Sequence, residues 1–109
     1  MARKFDRIML AVPELSAASA QCQQLFGLPP FSPDKPDGES AVWWGLPNTV
    51  IELVQCAIDR PRLQGIVFSA PEAAPHEQPL ATPLGVDIRL GDGRLTADFR
   101  REQPAAQCA

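Results

Sequence analysis

Arg7-Ile8-Met9-Leu10-Ala11-Val12-Pro13-Glu14 decides how this chain folds, because its pattern occurs twice. Gly65-Ile66-Val67-Phe68-Ser69-Ala70-Pro71-Glu72 lies 58 residues later, with apolar run, proline and glutamate in step. At the same offset Phe26-Gly27-Leu28 falls over Leu84-Gly85-Val86. A strand, a Pro-Glu helix start and a glycine stop recurring together describe one supersecondary unit used twice. Neither copy of such a unit can bury its apolar face alone.

In the first copy, residues 5–12 are rich in Ile, Met, Leu and Val and stop at Pro13, which predicts a buried strand. Leu15, Ala18, Cys22, Leu25 and Phe26 then follow at helical spacing, predicting a helix over 14–26. Pro13 suits its first turn, Glu14 its positive end and Gly27 its C-terminal cap. The four prolines within 29–38 predict an irregular crossing loop with a short edge strand. Residues 41–45 and 49–55 read as a hairpin around Leu46-Pro47-Asn48.

The second copy is eroded. The stretch over the first helix holds Pro75, Pro79 and Pro83, so a turn or an extended cover is expected there. Residues 86–90 and 94–100 read as a second hairpin around Gly91-Asp92-Gly93, with no helix behind that loop to bind a phosphate. The residue matching Val50 is Cys108 and the sequence stops at Ala109, so this copy is expected to lack its last strand. The organisation expected is one α+β domain over 1–109. Its first unit covers about 5–56 and its reduced second unit about 63–101, with a disordered tail after about 102.

Composition narrows the function. The chain has 109 residues, a net charge of -3 and a pI near 5.0, with no basic run to follow a nucleic-acid backbone. No apolar stretch approaches the roughly 20 residues of a membrane helix. The opening residues do not form a secretory signal, so a cytoplasmic protein is expected. Cys22, Cys56 and Cys108 make no C-x-x-C pair, against a disulfide framework or a zinc ribbon. Cys22 and Cys56 read as small core residues, and His76, among prolines, as a solvated loop residue.

Duplicated βαβββ units of this kind resemble the glyoxalase / bleomycin-resistance family, the vicinal oxygen chelate superfamily. Residues 5–15, Leu25-Phe26-Gly27-Leu28-Pro29 and 48–54 carry the resemblance by their order and spacing. It implies two units forming a cup-shaped sheet whose floor takes a small molecule, usually beside a divalent metal. It also implies metal ligands on the first and last strand of each unit. Here those positions hold Arg7, Glu52 and Gly65, and the fourth is missing. One carboxylate is too few, since a catalytic metal site normally has three protein ligands. The expectation is therefore no metal and no cofactor.

The resemblance also sets the first and fourth strands of the unit side by side, which would put Arg7 next to Glu52. Strand alternation groups Arg7, Met9 and Ala11 on one face and Ile8, Leu10 and Val12 on the other, and it groups Val50, Glu52 and Val54. An Arg–carboxylate pair there is either structural or a reader of a ligand carboxylate. Trp43 and Trp44 must point to opposite faces, one toward the cup and one beneath the helix. The candidate ligand-binding set is Arg7, Met9, Trp43, Trp44, Val50, Glu52, Val54 and Val67. Three functions are compatible with it, of which the first is the one expected and the others are alternatives. The first is a metal-free small-molecule binder. The second is a degenerate lyase or isomerase with Glu52 as general base. The third is a non-catalytic assembly protein whose cup is filled. The missing strand and the open cup face also predict a homodimer.

Overall fold

The computed structural model describes residues 3–33, 40–47, 49–74, 77–82 and 85–102, with the backbone alone of Ala81. The elements are β1 Lys4–Val12, α1 Leu15–Phe26, β2 Ala41–Leu46, β3 Thr49–Gln55, β4 Arg62–Ser69, β5 Gln78–Ala81, β6 Asp87–Gly91 and α2 Arg94–Glu102. His76, Cys108 and the expected tail beyond Glu102 lie outside the described residues.

The strands form one mixed sheet in the order β2-β3-β1-β4-β6-β5. β1 pairs with β3 in parallel, β4 with β6 in parallel, and β1 with β4 antiparallel. The two halves, β2-β3-β1 and β4-β6-β5, mirror each other's pairing across the β1/β4 seam, as a duplicated unit requires. The expected edge strand of the crossing loop is reduced to one antiparallel bridge between Phe31 and Trp43.

α1 begins one residue later than expected. Glu14 is its N-cap, so Pro13 stands outside the first turn. Glu14 makes no side-chain cap, and the Gln55 side-chain oxygen instead accepts the Leu15 N–H at 3.1 Å. Gly27 ends the helix with φ at 72°, the left-handed conformation that suits glycine, and its N–H donates to Gln23. α1 covers the outer face of the β2/β3 half, packing Leu15, Ala18, Cys22 and Phe26 over Val12, Val42, Trp44 and Leu53.

Two expectations fail in the second unit. Residues 94–100 are not a strand but the body of α2, because Leu95, Thr96 and Phe99 fall on one helical face with charged residues elsewhere. A helix therefore does follow Gly91-Asp92-Gly93, and the Asp92 carboxylate accepts the Arg94 N–H at 3.0 Å. The last strand is not missing either. β6 lies parallel beside β4 as β3 lies beside β1, so what the second unit has lost is the helix between them. Residues 71–73 make only a turn there, as the prolines predict.

Candidate functional site

Alternation and register define the inner face of the sheet, the one expected to line the cup. Met9 pairs with Glu52, Glu52 with Trp43, Arg7 with Val67 and Ala11 with Val54, and paired residues point the same way. Seven of the eight candidate residues are thereby brought together: Arg7, Met9, Trp43, Val50, Glu52, Val54 and Val67, all at most 1% exposed. Trp44 is the correction. It points to the outer face beneath α1, where its Nε1 donates to the Leu28 carbonyl at 3.1 Å and its ring meets Phe26 edge-on.

Arg7 is the hub. Its Nε donates to Glu52 Oε1 at 2.7 Å, and both side chains are wholly buried. Its two terminal nitrogens form a fork on Glu77, at 2.6 Å from Nη1 and 2.7 Å from Nη2. Nη1 also donates to Asp6 at 3.0 Å, and the guanidinium lies 4.9 Å from the centre of the Trp43 ring. Burial works against the charge of Arg7, yet the carboxylates of Glu77 and Glu52 hold its guanidinium above the ordinary arginine range. The Asp6 carboxyl moves up from the usual aspartate value. Burial is the main cause and the nearby Glu77 charge adds to it, against the pull of the Thr96 hydroxyl and Arg7.

α2 closes this face. Phe99 meets the Trp43 ring edge-on at 5.5 Å between centroids and lies 4.9 Å from Phe31. It rests on Gly45, where an added Cβ would stand 2.8 Å from the Phe99 ring. Thr96 donates to Asp6 at 2.8 Å and ties the helix to the end of β1. A cleft of about 370 Å³ opens beside the first turn of α2, with Lys4, Asp6, Ser69, Asp92, Thr96 and Arg100 in its walls. Neither Arg7, Glu52 nor Trp43 reaches it. The Trp43 Nε1 is buried with no hydrogen-bond acceptor among the described residues.

The residues at the four family ligand positions do not fit a divalent metal. The register supplies the fourth, since Val67, which matches Met9 at the repeat offset, pairs with Arg89 as Met9 pairs with Glu52. The set is thus Arg7, Glu52, Gly65 and Arg89, two cations, one carboxylate held by a cation, and one residue without a side chain. Gly65 is closed off as well, because an added Cβ would stand 2.6 Å from the Asp87 carbonyl and 2.7 Å from Met9 Cε. Among the described residues no three His, Cys, Asp or Glu side chains form a metal-holding group.

Sequence reasoning placed Arg7 beside Glu52 but missed Glu77, Asp6 and the whole of α2. Glu77 sits 70 residues from Arg7 after a proline-rich loop, and no spacing rule marks it. α2 carried a signal in the spacing of Leu95 and Phe99.

No family model and no curated protein matches the chain. Among solved structures it is similar to methylmalonyl-CoA epimerase from Mycobacterium tuberculosis, with 14% identity and a TM-score of 0.61. The match covers 86% of this chain and 91% of that one. That enzyme is a member of the vicinal oxygen chelate superfamily, and the likeness is one of fold. The chain has a shortened glyoxalase-like fold.

Proposed function

We propose that this chain is a non-catalytic, metal-free glyoxalase-like domain that works by association through its surfaces, with its cup filled by its own side chains. The observation that carries this reading is the state of the cup floor. Arg7 and Glu52, the residues best suited to chemistry, are wholly buried and bonded to each other. Trp43 lies against the Arg7 guanidinium, and Phe99 of α2 packs on the Trp43 ring. A general base must reach the proton it removes, and the Glu52 side chain is wholly buried. A buried Arg encircled by three carboxylates is what a stable closed interior requires once the arginine is there.

Native mass spectrometry of the intact purified protein, set against its denatured mass, tests the reading. The expected spectrum holds only multiples of the chain mass, and elemental analysis after incubation with zinc, nickel, manganese or iron stays well below one metal per chain. A molecule retained at one per chain, and lost in Trp43→Ala, would overturn the reading. So would a stoichiometric metal lost in Glu52→Ala.

One observation favours a second reading, a binder of small carboxylic acids. Glu77 grips Arg7 through both carboxylate oxygens from a partly exposed position, its side chain 18% exposed, and Trp43 Nε1 offers a spare donor nearby. Glu77 would then occupy the place of a ligand acid. Calorimetry with benzoate as probe separates the two. Binding that appears or tightens in Glu77→Gln supports the acid binder, and no heat in either protein supports the closed cup.

A further inference from the structure

Three stretches far apart in the chain, 4–6, 69–71 and 92–100, build the cleft beside the start of α2. Its volume of about 370 Å³ falls within the range of small-molecule sites. Phe5, Pro71 and Ala97 give it an apolar lining, and Phe5 is 49% exposed although it is a large aromatic residue. The site lies outside the closed cup, since neither Arg7, Glu52 nor Trp43 lines it, and it stands whether or not the cup is filled.

Four charged side chains complete the lining, and they are not equally occupied. Asp6 is turned inward: its side chain is 8% exposed, and its carboxylate accepts from Thr96 and from Arg7. Asp92 accepts the Arg94 N–H. Lys4 and Arg100, by contrast, have neither a carboxylate nor any other acceptor among the described residues. Lys4 is exposed, so water suffices for it. Arg100 is half-buried, and its Nη1 lies over Gly45, where an added Cβ would stand 3.5 Å away. Packing thus holds the guanidinium in place without a counter-charge. That is a costly arrangement in a chain whose thirteen acidic side chains outnumber its ten basic ones.

We infer that this cleft binds a small organic phosphomonoester, its phosphate between Lys4 and Arg100 and its apolar body against Phe5 and Pro71. Two unpaired cations match a dianion, and the arginine fork and the lysine point charge both suit a phosphate. Ser69 adds a half-buried hydroxyl that has no partner among the described residues. The Gly91-Asp92-Gly93 turn closes on that hydroxyl. Gly93 has φ at 77°, and an added Cβ there would stand 3.0 Å from Ser69 Cβ and 3.1 Å from Oγ, so glycine is needed for the approach. The phosphate does not cap α2 itself, because Asp92 already takes the Arg94 N–H at that end. A cationic ligand would meet two unpaired cations, and a neutral one would leave both unanswered.

Titration of the isotope-labelled full chain with phenyl phosphate at low ionic strength, followed by nuclear magnetic resonance, tests the inference. Saturable amide shifts are expected at Ser69, Gly93 and Thr96, with a Kd of about 0.1–1 mM, and the Trp43 indole signal should stay where it is. Arg100→Met should weaken binding about tenfold or more, and so should Lys4→Met, which serves if Arg100→Met does not fold. Asp92→Asn keeps an acceptor for the Arg94 N–H but removes a negative charge, so it should tighten binding about two- to fivefold. Inorganic phosphate, which lacks the apolar body, and benzyl alcohol, which lacks the charge, should each bind about tenfold more weakly or worse. No shifts up to about 10 mM phenyl phosphate would overturn the inference. So would unchanged binding in both Met variants, weaker binding in Asp92→Asn, or inorganic phosphate bound as tightly as its phenyl ester. A chain that shows no shifts at all leaves the closed cup standing, whereas shifts confined to the Trp43 indole would overturn both readings.

Discussion

Replacing Arg7 with Met removes the cation that bonds Glu52, Glu77 and Asp6, and the cost can be worked from their positions. Glu52 is wholly buried and loses the 2.7 Å bond from Nε. The side chain of Asp6 is 8% exposed and keeps its Thr96 partner, while Glu77, at 18%, can turn outward. The loss is thus mainly that of the cation facing one wholly buried carboxylate, about 3–5 kcal/mol. Against a total stability of about 5–15 kcal/mol for a domain, that is a large share. Urea denaturation read by far-ultraviolet circular dichroism measures it. The deficit should shrink as pH falls, because a buried carboxylate that has lost its cation binds a proton more readily than it did beside Arg7. Arg7→Met combined with Glu52→Leu should recover most of the loss, since a well-packed apolar pair replaces a buried ion pair at little cost. An Arg7→Met variant within about 1 kcal/mol of wild type, at neutral pH, would refute the placement of Arg7 as hub.

Three further outcomes are expected. Asp6, whose carboxyl burial pushes above the usual value of 3.8, contributes stability below that value and loses it as pH rises through the higher folded value. Asp6→Asn should therefore gain on wild type as pH rises above 3.8, read as the difference in urea midpoints; a constant difference contradicts this. Phe99→Ala strips the ring from Trp43, Phe31 and Gly45 and should cost about 3–4 kcal/mol, with tryptophan emission shifting to the red as α2 loosens. Gly65→Ala should cost about 1–3 kcal/mol, and Met9→Ala should not rescue it, because the Asp87 carbonyl at 2.6 Å still blocks the added methyl. Thermal melts decide that pair.

The first half of the fold was legible because its punctuation is local. Pro13 and Gly27 bound α1, and alternation alone put Trp43 and Trp44 on opposite faces. Arg7 and Glu52 could be paired only by combining alternation with the resemblance to a known sheet order, since 45 residues separate them. The second half was misread where a local cue and a tertiary one compete. Gly91-Asp92-Gly93 is a good hairpin turn, but with Asp92 bonded to the Arg94 N–H it starts a helix instead. Phe99 then gains a partner in Trp43, 56 positions earlier in the chain, which no window of local sequence contains. The strand expected at 86–90 is present as β6, but its role as the last strand of the unit was missed for the same kind of reason. Its place beside β4 is set by pairing, and the deletion of a helix breaks the ungapped alignment that would have revealed it.

The closed cup is tested most directly by hydrogen exchange at the Trp43 indole, followed by nuclear magnetic resonance. That N–H has no acceptor among the described residues, so its protection reports its burial. With Arg7, Glu52 and Phe99 packed around it, the account predicts exchange only through global unfolding, at the free energy given by urea denaturation. Trp44, hydrogen-bonded beneath α1, supplies the internal comparison. Exchange of Trp43 through a local opening several kcal/mol cheaper than unfolding, while Trp44 stays protected, would contradict the account and show a cup that opens.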